Sequence, residues 1–130
     1  MTSRRWARRQ AIDVLFQADV TGRDPLEVLG EWLEAGERLP GFARELIEGV
    51  AANRDEIDAT LASHAEHWTV DRMATLDRNI LRVACFELLH RPDVPPGVVV
   101  NEAVEAAKEL STEESGRFVN GVLGTIADRP

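Results

Sequence analysis

Apolar residues recur along this chain at helical rather than strand spacing. The densest stretch runs from Leu76 to Leu89. There Leu76, Ile80, Ala84 and Leu88 form one i, i+4 ladder, and Leu81, Cys85 and Leu89 form a second beside it. Val83 and Phe86 add apolar surface on other sides, leaving a narrow polar stripe of Asp77, Arg78, Arg82 and Glu87. A helix this apolar must be enclosed by others, so it is predicted to be the axle of the fold.

Upstream, Thr2 or Ser3 is placed to cap a helix reaching about Val20 and stopped by Thr21-Gly22. Its inward stripe is Ala7, Ala11, Val14, Leu15 and Ala18. Asp24-Pro25 joins a capping side chain to a proline at the first helical position. It opens a short helix to about Glu34, with Leu26, Leu29, Trp32 and Leu33 on the apolar face. Gly36 and Pro40-Gly41 punctuate a loop. From Phe42 to His64 the apolar positions Phe42, Leu46, Ile47, Val50, Ile57 and Leu61 continue at helical spacing. One helix is expected there, with Asn53-Arg54-Asp55-Glu56 as a capping box at which it can break.

Trp68 is expected to close the core beside Val70 and Met73. Pro92, Pro95 and Pro96 end the central helix. Val98-Val99-Val100 has strand composition but no partner strand, whereas Val100, Ala103, Val104, Ala107 and Leu110 keep the helical period. A capping box at Ser111-Thr112-Glu113-Glu114 opens a last helix that turns Val119, Val122, Leu123 and Ile126 inward. Gly121 and Gly124 are expected to let a neighbouring helix approach closely. About seven helices and no strand define an all-α bundle.

Composition changes this picture in one place. The 130 residues suffice for one domain with a real core, and 44% hydrophobic and 29% charged residues are ordinary for a globular chain. Net charge is −8, yet Arg4, Arg5, Arg8 and Arg9 give the first ten residues +4 with no acid, so the remainder carries −12. A helix N-terminus is the positive end of the helix dipole and favours acids there, by about 0.3–1 kcal/mol each. Four mutually repelling cations at that end are hard to explain by stability. A phosphate would reverse the penalty, because free N–H groups, dipole and guanidinium groups would all face it. The competing reading is a solvated charge run.

The arginines pair at i, i+4, Arg4 with Arg8 and Arg5 with Arg9, on a broad face that also holds Ile12 and Phe16. A first turn overhanging the body is predicted, with Phe16 near the floor beneath the arginines. Trp6 has two readings of equal weight, a base-stacking surface or a cover for the core.

Other chemistries find little support. His64 and His67 lie at i, i+3, but no third ligand is placed by spacing, so surface histidines are expected, with no metal or cofactor. The single Cys85 excludes an internal disulfide framework, suits a reducing compartment and reads as a buried hydrophobe. Gln10, Asp13, Gln17 and Asp19 interrupt any signal-peptide core, and no run reaches transmembrane length. A cytoplasmic, non-enzymatic protein is expected.

Three stretches carry a family resemblance over nearly the whole chain. Arg4-Arg5-Trp6-Ala7-Arg8 through Leu15-Phe16-Gln17, Leu81 to Leu88, and Val100 to Lys108 followed by Phe118-Val119-Asn120-Gly121-Val122-Leu123 resemble the NusB family of bacterial transcription antitermination factors. The resemblance implies two packed three-helix bundles, divided at about 1–66 and 67–130. It also implies a heterodimer with NusE, a small-subunit ribosomal protein. Together they would bind the single-stranded boxA element of nascent ribosomal RNA and hold RNA polymerase in an antiterminating state.

By position, RNA contacts are implied for Arg4, Arg5 and Arg8, with Arg9 adjoining, for Phe16 at an aromatic position, and for Glu114, Arg117 and Phe118. Asp77 occupies an acidic position facing NusE, and Arg78 and Arg82 on the same stripe join it as partner-binding candidates. Trp6 within the arginine run, the following Arg9, and Phe16 in place of tyrosine depart from the family pattern. Taken without the resemblance, Phe118 reads as core, and Asn101 and Asn120 read as packing or capping groups as well as base readers. Four phosphate contacts predict a log-affinity against log-salt slope of about −3.

Two other readings are carried forward. One is a protein-interaction bundle whose homodimer interface masks Arg4 to Arg9. The other is an accessory RNA-binding domain like that of ribosomal RNA cytosine methyltransferases, which the chain's end at Pro130 disfavours.

Overall fold

Local chemistry sets the first two helices where the sequence places them. In the computed structural model, which describes residues 3–66 and 68–128, α1 spans Arg4–Thr21. Ser3 Oγ accepts from the Trp6 amide at 3.1 Å, while Thr2, the alternative cap, lies outside the described residues. Gly22 takes φ +68°, a left-handed conformation open to glycine, so its N–H returns to the Ala18 and Asp19 carbonyls and ends the helix. In α2 (Pro25–Glu34), the Asp24 carboxylate accepts from the Leu26 amide at 2.9 Å, with Pro25 at the first position.

The segment expected as one long helix is two, α3 (Gly41–Ala52) and α4 (Arg54–His64). The break falls at Asn53, but a capping box does not make it. Asn53 provides no side-chain cap to α4, and its amide instead donates back to the Gly49 carbonyl at 2.8 Å, closing α3. A 3₁₀ turn at Val70–Arg72 leads into α5 (Thr75–His90), followed by α6 (Pro96–Leu110) and α7 (Glu113–Ala127). Val98, Val99 and Val100 lie within α6, and no strand occurs among the described residues. Thr112 rather than Ser111 caps α7, its Oγ1 accepting from the Ser115 amide at 3.0 Å.

α5 is the axle. It packs against α1, α3, α4, α6 and α7, while α6 and α7 form a close hairpin and α2 lies across α1 and α3. Ile80, Leu81, Ala84 and Cys85 are fully enclosed. The tight approach is not at Gly121 or Gly124, which face open space. It is at Gly49, where a Cβ would fall inside the Phe86 ring, and less severely at Gly116, where a Cβ would meet the Lys108 side chain at 2.8 Å.

The polar stripe of α5, which helical spacing alone would leave facing solvent, is mostly buried. Asp77, Arg82 and Glu87 are 8%, 3% and 1% exposed. Periodicity misreads them because their partners lie on other helices. Arg82 donates to Asp58 at 2.9 and 3.0 Å, to Asp19 at 3.0 Å and to Asn79 at 3.3 Å. Arg78 holds Asp19 at 2.8 and 3.0 Å, and Asn79 donates to it at 2.9 Å. This network ties α1 and α4 to α5. Burial pushes the Asp19 carboxyl upward, but hydrogen bonds from Asn79 and Arg78 and the charges of Arg78 and Arg82 outweigh it. The carboxyl is held below the ordinary carboxylate value. No helix among the described residues is long and apolar enough to cross a membrane.

Candidate nucleic-acid interface

The first two turns of α1 do not form a bare cationic overhang, since each of the four arginines meets an acid. Arg4 lies 3.9 Å from Asp93, Arg5 Nε donates to Glu102 at 2.9 Å and Arg9 Nη1 to Glu109 at 2.7 Å. Arg8 donates through Nε and Nη2 to both oxygens of Glu87, each at 2.9 Å. The acids come from α5, α6 and the loop between them, one for each arginine of this turn.

Burial then separates the four. Arg8 is 7% exposed and its pair with Glu87 is interior, so its Nε and Nη2 donors are engaged within the fold, unlike those of a solvent-facing phosphate contact. Arg5 is half exposed, and its hydrogen bond to Glu102 raises an already high guanidinium pKa. Solvent screens a guanidinium this exposed, so the pair contributes little to stability and a phosphate can compete with the carboxylate. Arg4 and Arg9 each meet a carboxylate that is exposed to solvent. The hydrogen bond from Arg9 holds the Glu109 carboxyl below its usual range.

The aromatic among these arginines is not the one expected. Phe42 of α3 is ringed by the guanidinium carbons of Arg4 at 4.4 Å, Arg91 at 5.1 Å and Arg8 at 5.3 Å from its centroid. Its apolar character reads as core from sequence, and the cations around it come from the start of α1 and the end of α5. Phe16 is exposed further along α1, on the face of Arg5 and Arg9.

A second surface lies where α5 and α7 begin. Trp68, Arg72, Met73, Ala74, Asp77, Thr112, Glu114, Ser115 and Phe118 line a groove of about 440 Å³. Trp68 does not close the core; it is 51% exposed and meets Phe118 edge-on, with centroids 6.2 Å apart and planes at 70°. Phe118 is partly buried, with its inner side packed against the core cluster. Arg72 and Arg117 are exposed and have no ion pair among the described residues. Ser115 Oγ donates to Asp77 Oδ2 at 3.2 Å, while Asp77 Oδ1 is buried without a hydrogen-bond partner. Burial pushes the Asp77 carboxyl up, against the lowering effect of the Ser115 hydrogen bond.

The family model described as NusB family matches residues 5–128. The chain belongs to the NusB family. It is similar to transcription antitermination protein NusB of Salinispora tropica, 49% identical over 132 residues that cover 98% of this chain and 97% of that protein. A solved structure of T. maritima NusB has a TM-score of 0.88 at 37% identity, covering 98% of this chain and 92% of that one. A structure of antitermination factors NusB and NusE in complex with dsRNA gives 0.84 at 31% identity, covering 95% of each chain. The seven helices are the NusB fold.

Within this NusB fold the predicted site residues divide. Arg4, Arg5, Arg9 and Phe16 share the α1 surface, while Glu114, Arg117 and Phe118 gather at the α7 start. The pair of Arg9 with Glu109, near the end of α6, carries the first surface towards the α6–α7 junction. Among the partner-binding candidates, Asp77 lines the groove. Arg82 does not: it is enclosed by Asp19, Asp58 and Asn79, which corrects its assignment to a partner surface. Arg78 is likewise engaged by Asp19 and by the Val70 and Asp71 carbonyls, and serves the fold.

Trp68 and Arg72 were missing from the predicted site. The signal available for them was polar flanking, with Glu66 and Thr69 around the indole and Arg72 one helical turn on. His64 Nδ1 lies 2.8 Å from the Thr60 carbonyl, and His67 falls outside the described residues.

Proposed function

We propose that this NusB-family protein is a non-enzymatic, cytoplasmic RNA-binding antitermination factor. It binds the boxA element of nascent ribosomal RNA together with NusE, as part of an antiterminating RNA polymerase complex. The observation that carries the reading is the groove at the α5–α7 junction. There an exposed indole stands edge-on to a phenyl ring, with Arg72 in the same lining and Arg117 exposed at the preceding position of α7, neither with an ion pair among the described residues. Aromatic faces stack on unstacked bases and guanidinium groups hold the phosphates, the combination used for single-stranded RNA. Glu114 on the same rim accepts from base amino groups.

On α1, Arg4, Arg5 and Arg9 exchange their carboxylates for phosphates, and Phe16 offers a stacking face without a hydroxyl. Arg8 keeps Glu87. The partner docks at the Asp77 end of the groove, against the rim that encloses this carboxylate.

The test is fluorescence-anisotropy titration of a labelled boxA oligoribonucleotide, with and without NusE, over a range of salt concentrations. Arg117→Ala with Phe118→Ala should lower affinity at least tenfold, the scale of about one stacked base and one phosphate contact. Helicity should stay unchanged. A duplex of the same sequence should compete poorly, because its bases offer no open face. No binding at low salt with NusE present would end the reading, and equal competition by duplex would end the single-strand part of it.

A further inference from the structure

The far side of α1 carries a second tryptophan hollow that the reading above does not use. Trp6, Leu33, Leu39 and Pro40 wall a depression of about 340 Å³, and Arg38, Arg44 and Glu37 complete its lining. Trp6 is 43% exposed, so its indole is not spent on the core, which Ala7, Ala11 and Val14 fill from the same helix. Neither Arg38 nor Arg44 has an ion pair among the described residues, although Arg4, Arg5, Arg8 and Arg9 nearby are all matched to acids. On a chain of net charge −8, two unmatched guanidinium groups on the rim of one apolar hollow are a local excess of positive charge.

The hollow repeats the chemistry of the α5–α7 groove, an exposed indole sharing its lining with arginine that has no ion pair among the described residues. It is also continuous with the arginine turn. Trp6 follows Arg5 directly and sits 100° around the helix from it, so a strand leaving Arg5 need only cross one helical flank to reach the indole. The first turn of α3, which opens beside Pro40 and Arg44, contains no acid and adds no repulsion.

We propose that this hollow binds single-stranded RNA flanking the element held by the arginine turn. One base stacks on Trp6, and Arg38 and Arg44 contact the phosphates on either side of that base. The proposal rests on the RNA-binding reading given above and lengthens its track. An acidic peptide would match the arginines but would leave the flat indole face without its natural complement. Glu37 keeps a further phosphate away from its side of the rim and accepts from a base amino group instead.

The experiment compares a minimal boxA oligoribonucleotide with versions extended at either end by about six uridines, a length within the reach of one such site. Titrations use the full chain with NusE, for the parent, Trp6→Ala, Trp6→Phe and the double variant Arg38→Ala/Arg44→Ala. One extension should tighten binding by about tenfold and steepen the log-salt slope by about 1.4, the value for two phosphate contacts. Trp6→Ala should abolish the tightening and the double variant both effects. Trp6→Phe should keep most of the gain, and all variants should bind the minimal oligonucleotide as the parent does.

Minimal RNA bound normally, with no gain from either extension, overturns the hollow's role alone. So does a gain that survives the double variant, or equal competition by a polyglutamate peptide for the extension's gain. Failure of even the minimal RNA to bind overturns the parent reading and this one with it.

Discussion

Two arginines three residues apart on α1 make nearly the same ion pair on opposite sides of a boundary. Arg8 and Glu87 meet in the interior at 9% and 1% side-chain exposure, whereas Arg5 is 53% exposed where it meets Glu102, itself 16% exposed. In water-poor surroundings the partners are irreplaceable, because neither charge can be left alone. At the surface the solvent offers nearly equivalent interactions, so the pair is exchangeable. The interior arginine therefore serves the fold and the outer one is available to a ligand. The same division separates Arg82, locked among Asp19, Asp58 and Asn79, from Arg117, which meets no acid among the described residues.

The largest effect expected from this contrast is at the interior pair. Arg8→Ala should cost about 3–5 kcal/mol in urea unfolding, since Glu87 would be left buried and uncompensated. Replacing both residues, as Arg8→Met with Glu87→Leu, should recover most of that loss. A cost below about 1 kcal/mol for Arg8→Ala would mean that water already reaches the pair, and the boundary would have to be redrawn.

How much of this was legible in sequence follows from the range of each interaction. Ser3, Gly22 and Asp24-Pro25 act on their own helix ends, so the limits of α1 and the start of α2 could be read directly. Apolar spacing likewise identified α5 as the axle. Arg8 and Glu87 are 79 positions apart, and Arg82 meets Asp19 across 63, so no local pattern announces them. A charged residue on an apolar helix reads as wet unless its partner is known. Trp68 failed in the opposite direction, its size suggesting core although its neighbours are polar. At the candidate site the arginine and Phe118 positions were visible, but their division into committed and exchangeable groups was not.

Acid titration sharpens the contrast at intermediate size. Asp19 has a folded pKa below the ordinary carboxylate value, so its contribution is complete above that range and is lost as pH falls through the folded value. Asp19→Asn should therefore cost about 1–3 kcal/mol at neutral pH, the scale of hydrogen bonds to a charged group. The difference from the parent should shrink towards zero well below pH 4. Asp77 has the opposite sign. Its folded pKa is raised, so the native state favours the protonated acid, and a penalty for ionisation is present above the folded value. Asp77→Asn should be at least as stable as the parent at neutral pH, with any advantage vanishing in acid. Parallel pH profiles for the two variants would show that the groove and the interior network are not electrostatically distinct.

The smallest expected change in stability is at Arg5, and there the contrast meets function. Arg5→Ala should leave the urea unfolding midpoint close to the parent's, because the Arg5 side chain is 53% exposed and screened by solvent, with Glu102, at 16%, the more enclosed partner. Its effect should appear instead in RNA binding. Loss of one phosphate contact removes about 0.7 from the magnitude of the log-salt slope for single-stranded RNA. With Arg8 committed to Glu87, the contacts on α1 number three by this account, so their share of the slope is about −2 and Arg5 supplies roughly a third of it. Glu102→Gln should act in the other direction, freeing the guanidinium and tightening RNA at low salt while leaving stability nearly unchanged. A stability loss in Arg5→Ala comparable to that of Arg8→Ala would place both pairs in the fold. An unchanged salt slope would remove this face of α1 from the RNA track, and either outcome would erase the distinction between the two arginines.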